Sequence, residues 1–204
     1  MDSVTPNNDA ASREKVITHL QGAIDAMTGV SAEKTPQGHS SSQKSKGEVQ
    51  TVERSALDAL ARREHSIAEL RTKLAGKDFA PDAIEQVLIS LQKRGLLDDE
   101  SFTHTFIRAN RQRRGLGIGR LRQELRAKGV EAETYEPVLN SLEDEAELAR
   151  EVATKKAEAT RSLTPEVRYR RITGMLTRRG FSHALTASTA RDVLIQISSI
   201  PERG

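Results

Sequence analysis

The chain has no cysteine and no tryptophan, and only two tyrosines and four phenylalanines. Without cysteine there is no disulfide, no thiolate chemistry and no cysteine-held zinc or iron–sulfur cluster. With aromatic residues at 3%, any core must be built from Leu, Ile, Val and Ala, as in small helical bundles. No apolar run approaches the roughly 18 residues of a membrane span, and the first thirty residues carry no signal-peptide core. A cytoplasmic protein without membrane attachment is expected. The histidines His19, His39, His65, His104 and His183 have no spacing suited to a metal. No Ser/His/Asp set and no pair of acids stands out as catalytic, so neither an enzyme nor a cofactor is expected.

What the chain does have is a repeat. Ile67, Leu70, Leu74 and Phe79 return 51 positions later as Ile118, Leu121, Leu125 and Val130, and the last three again as Ile172, Leu176 and Phe181. Beyond the turn, Ile84, Val87, Leu88 and Leu91 align with Tyr135, Val138, Leu139 and Leu142, then with Thr186, Thr189, Ala190 and Val193. No gap is needed in either step. A fixed period predicts an array of one small unit, whose surface follows a long partner. The polar third copy, with Thr186 and Thr189, is expected to end the array on a side without a neighbour. One such unit buries little surface, so stacking of units is expected to supply the missing contacts.

Helix signals divide each repeat into three. Ser66-x-x-Glu69 is a capping box, Pro81 and Pro165 stand at helix starts, and Gly76, Gly95, Gly129 and Gly180 stand at helix ends. Pro137 makes the middle of one helix doubtful. The fold class is all-α: three tandem three-helix repeats at 51–97, 98–141 and 142–204. The first helix is expected to run from Thr51 to about Arg63. Residues 1–50 read as a poorly ordered extension, with amphipathic spacing for a short helix over 12–28 and a flexible Ser/Gly/Lys/Gln-rich linker over 29–48.

A net charge of +3 conceals segregation. Arg108, Arg111, Arg113, Arg114, Arg120, Arg122, Arg126 and Lys128 form one basic block; Lys155, Lys156, Arg161, Arg168, Arg170, Arg171, Arg178 and Arg179 form another. Between them lie Glu131, Glu133, Glu136, Glu143, Asp144, Glu145, Glu147 and Glu151. Such blocks suit a polyanion or an acidic protein, against the plain alternative of solvated faces that neutralise each other. Gly115-x-Gly117-x-Gly119 follows a helix where a dinucleotide fingerprint requires a strand, and no phosphate loop is present. Its glycines, the free N–H groups of the next helix and the surrounding arginines still suit contact with a phosphate backbone; a plain helix break is the alternative. No aromatics interleave with the arginines, so nucleic-acid binding would be salt-dependent and weakly sequence-specific. Asp98-Asp99-Glu100 reads as a helix start, with acids at its positive end.

Three stretches carry a family resemblance. Ala61-Arg62-Arg63-Glu64-His65-Ser66, leading to Glu69-Leu70 and Lys73-Leu74, resembles the opening motif of the RecX regulatory proteins. Gly95-Leu96-Leu97-Asp98-Asp99-Glu100-Ser101-Phe102 resembles that family's next block. Arg113-Arg114-Gly115, then Arg120, Arg122-Gln123-Glu124-Leu125 and Lys128-Gly129-Val130, resembles its basic centre. The match covers about residues 53–195 and is weakest in the third repeat. The resemblance implies an elongated, curved array of three-helix repeats that modulates the recombinase RecA, mostly by inhibition, and lies along the RecA–single-stranded DNA filament. It brings no catalytic residues. The filament or DNA, single-stranded or duplex, would be met by the first basic block and by Arg168, Arg170, Arg171, Arg178 and Arg179, with the protein acting as a monomer. A stand-alone DNA-binding repeat protein and a pure protein-binding scaffold are the alternative readings.

Overall fold

A computed structural model describes residues 40–198. Among the described residues there are nine α-helices and no strand. They are α1 (Ser40–Arg62), α2 (Ile67–Ala75), α3 (Pro81–Lys93), α4 (Asp99–Arg114), α5 (Ile118–Ala127), α6 (Ala132–Asn140), α7 (Glu145–Glu158), α8 (Pro165–Arg178) and α9 (His183–Ser198). The chain divides into two compact units, the first ending at Asp98 and the second beginning at Asp99. The first contains α1–α3; the second contains α4–α9.

The repeat is visible in what is buried. Leu70, Leu121 and Ile172 are fully buried at one register, and Leu74, Leu125 and Leu176 at the next. Leu88, Leu139 and Ala190 follow suit on the third helix of each repeat. The turn before that helix is also repeated: Asp78, Gly129 and Gly180 all have positive φ, at 59°, 72° and 87°. This left-handed step lets a short second helix stop and the chain reverse within a few residues. Ser66 and Glu69 make the expected capping box at the start of α2, and Pro81 and Pro165 open α3 and α8.

Several expectations need correction. The helix α1 begins at Ser40, not near Thr51, so residues 40–48 of the supposed linker are helical. Tertiary contacts hold this early part: the Glu48 carboxylate accepts the Ala80 N–H at 2.9 Å, and Val49 and Val52 pack into the first core. Pro137 sits inside an unbroken α6, with its ring exposed while Tyr135 and Leu139 face inward. The predicted helix over 12–28 and the linker up to residue 39 lie outside the described residues.

The buried apolar residues form three clusters, one per repeat. Thr186 and Thr189 do not form a polar outer face; both are buried. The helix α9 packs along α7, which buries Ala149, Val152, Ala153 and Ala157. Small residues on both helices allow a close approach, which is why the third repeat carries Thr and Ala where the others carry Ile or Tyr, Val and Leu.

Candidate nucleic-acid interface

Within the second unit, the Gly115–Gly119 turn is a junction between repeats. The Gly117 N–H donates to the Arg179 carbonyl at 2.8 Å, and the Gly119 N–H donates to the Gly180 carbonyl at 3.0 Å. The Ile118 N–H donates to the Glu145 carboxylate at 2.8 Å. The glycines are needed for closeness: a β-carbon on Gly115 would stand 2.6 Å from Val152, and one on Gly117 would stand 2.9 Å from Gly180 and Phe181. Three amides that would greet a phosphate at the start of α5 are therefore satisfied by the third repeat. The expected phosphate contact at this turn is replaced by protein.

The arginines of α4 and α5 are similarly engaged. Arg111 is buried, and its guanidinium donates to Asp144 at 2.6 Å, so it is no surface contact. Arg114 binds both oxygens of Glu124 at 2.8 and 2.9 Å, and Arg120 reaches the same carboxylate at 3.0 Å. Arg122 binds Glu136 in the same two-point manner, at 2.5 and 2.9 Å. Hydrogen bonds from Arg114 hold the Glu124 carboxyl below the usual carboxylate range, and those from Arg122 do the same to Glu136. Lys128 lies over the rings of Phe106 and Phe102, at 5.3 and 5.9 Å from their centroids. Arg108, Arg113 and Arg126 are exposed. Leu121 and Leu125 are fully buried, so α5 is packed and does not stand out as a free recognition helix.

The second basic block divides differently. Arg168 is buried and donates to the Ala157 carbonyl at 3.2 Å, which removes it from the interface. Arg179 is half-buried against Gly115 at the junction. Arg170, Arg171 and Arg178 are exposed on α8 and make no ion pair among the described residues.

Sequence reasoning allowed for faces that neutralise each other but did not name the carboxylates that occupy the cations of α4 and α5. Asp144, itself largely exposed, accepts from the buried Arg111, and Glu145 accepts from the Ile118 N–H. A signal was available. Arg71 binds Glu85 at 2.6 and 3.1 Å in the first repeat, at the register that Arg122 and Glu136 occupy in the second. Among the described residues no group of three or more His, Asp or Glu could hold a metal ion, and no helix is long and apolar enough to cross a membrane.

Comparison with known proteins returns the RecX family. Residues 54–91 match the model for the first three-helix domain of RecX, 98–139 the second and 143–187 the third. The regulatory protein RecX of Corynebacterium efficiens is 36% identical, over 95% of this chain and 94% of its own. That of Streptomyces coelicolor is 34% identical, over 62% of this chain and 68% of its own. The crystal structure of RecX from Lactobacillus salivarius superposes with a TM-score of 0.64 at 19% identity, over 74% of this chain and 99% of that one. A second structure, of a regulatory protein RecX, gives 0.66 at 21% identity, over 84% and 85%. At these identities the two structures speak for the fold alone.

Proposed function

The chain belongs to the RecX family, and from that premise we propose that it regulates the RecA recombinase in the cytoplasm. It binds along the RecA–single-stranded DNA filament and holds down filament growth, ATP hydrolysis, strand exchange and coprotease activity. The observation that carries this reading is the presence of all three family domains in order, from residue 54 to residue 187. The physics is compatible with it. A protein of short repeats has a surface to lay along a polymer and no need of a catalytic pocket.

The test is RecA ATP hydrolysis on single-stranded DNA with this protein added below one copy per recombinase. Progressive loss of hydrolysis at such ratios is expected, because a regulator acting on a polymer affects many subunits at once. Unchanged hydrolysis at every ratio, with DNA binding intact, would leave a stand-alone DNA-binding repeat protein as the better reading.

A further inference from the structure

The three repeats share one register, so their second helices can be compared position by position. In the second repeat, the carboxylates of Glu124 and Glu136 neutralise Arg114, Arg120 and Arg122. In the third repeat those two positions are Met175 and Ala187. The neutralising acids are gone, while Arg171, at the register of Arg120, stands exposed on α8 with Arg170 and Arg178. Glu166, in the first turn, is the one carboxylate on that helix.

A second observation lies between these arginines. Gly174 is four residues after Arg170, three after Arg171 and four before Arg178, so all four positions fall on one face of α8. Glycine in a helix interior is unfavourable relative to alanine. Packing does not require it here: a β-carbon would meet only the Arg178 guanidinium, at 3.3 Å, the far end of a flexible side chain. At the same register the second and first repeats carry Gln123 and Thr72. What the glycine provides is a low floor, over which the flexible Arg178 guanidinium now reaches, within a row of cations spread over about 12 Å of helix axis.

We propose that this face of α8 is a binding site for the sugar–phosphate backbone of single-stranded DNA. Arg170 and Arg171 would hold one phosphate, Arg178 a second, and Gly174 would let the strand between them approach the helix. Arginine suits phosphate because its planar fork gives two parallel charge-assisted hydrogen bonds. No aromatic residue lies on this face, so binding carries little sequence preference. The proposal names the DNA-contacting part of the surface in the regulatory reading above and rests on that reading only for its biological setting.

The test uses the full-length protein and a labelled oligothymidylate, titrated at several salt concentrations. Replacing Arg170, Arg171 and Arg178 by Gln should weaken binding at least tenfold and flatten the slope of log K against log salt by about 1.4, near 0.7 for each of the two phosphates lost. Replacing Arg114, Arg120 and Arg122 by Gln should leave that slope nearly unchanged. Equal losses in the two variants, or no loss in the first, would overturn the site. Gly174→Ala keeps every charge and favours the helix, so it should melt no lower than the parent yet bind several-fold more weakly; unaltered affinity would remove the close approach. RecA ATP hydrolysis on the same proteins separates the two ideas. A parent that binds DNA through α8 but leaves RecA unaffected sinks the regulatory reading and keeps the site. A parent that inhibits RecA without affinity for DNA, and stops inhibiting when the α8 arginines are lost, makes this a protein-contact face and sinks the site.

Discussion

Gly180 lies against the backbone of Arg120. A β-carbon on Gly180 would stand 2.1 Å from the Arg120 nitrogen, and its φ is +87°. Both steric crowding and backbone strain therefore oppose any side chain there. Gly180→Ala should destabilise the second unit by at least about 2 kcal/mol. Gly95 makes the control: its φ is +66°, but a β-carbon would meet nothing within 4 Å. Gly95→Ala should cost only the conformational term, about 1 kcal/mol. Urea unfolding of the two variants separates crowding from strain; equal costs would argue against the crowding.

Asp78 occupies the left-handed position that glycine holds in the other two repeats. Aspartate tolerates this conformation better than most residues, yet it still pays for its β-carbon. Asp78→Gly should therefore be neutral or stabilising, by up to about 1 kcal/mol. A lower melting temperature would mean that the Asp78 side chain contributes more than its backbone costs.

His65 gives the first unit a dependence on pH. It is buried, and its Nδ1 lies 2.9 Å from the Arg63 carbonyl. A carbonyl can only accept, so Nδ1 carries the proton, and Nε2 is left buried without a partner. Burial pushes the imidazole below its ordinary value of 6.5, and the positive charges of Arg63 and Lys73 push the same way. Below that value the unfolded chain takes up a proton that the folded one refuses. Stability is thus full above pH 6.5, falls as pH drops through the folded value, and is level below it. His65→Gln should abolish this part of the pH dependence, as read from urea midpoints between pH 7.5 and about 5. The paired carboxylates Glu85, Glu124 and Glu136 are held below 4.5, so their contribution is lost only in more acid solution.

Arg111 should behave as a structural residue. Its partner Asp144 is largely exposed while Arg111 itself is not, and one guanidinium nitrogen is buried without a hydrogen bond. Arg111→Met preserves the packed stem and removes the awkward charge, so it should change stability by no more than about 2 kcal/mol in either direction. The salt dependence of DNA binding should not change. A flatter slope would return Arg111 to the interface.

The repeat was legible because its evidence is periodic: Leu70, Leu121 and Ile172 declare a common buried register without any knowledge of contacts. The helix ends at Ser66, Pro81 and Pro165 were legible for a local reason, since each residue satisfies or suits the backbone of its own helix. The interface was less so. A run such as Arg108–Lys128 reads as one basic block, but its fate depends on acids 4 to 33 positions away, at Glu124, Glu136 and Asp144. The glycine turn misled for a related reason: small residues invite close approach, and nothing local tells a phosphate from the Gly180 carbonyl. The start of α1 was hidden because Glu48 is tied to Ala80, which lies 32 residues on.

The second and third repeats are joined through the main-chain amides of Gly117 and Gly119. Those two protons can exchange with solvent only when the repeats part or the unit unfolds. Their exchange rates, read beside that of a core amide such as Leu125, form a built-in gauge of junction opening. If the unit grips its partner as a stiff body, the three rates will converge. If it flexes to follow a curved polymer, the two glycines will exchange first.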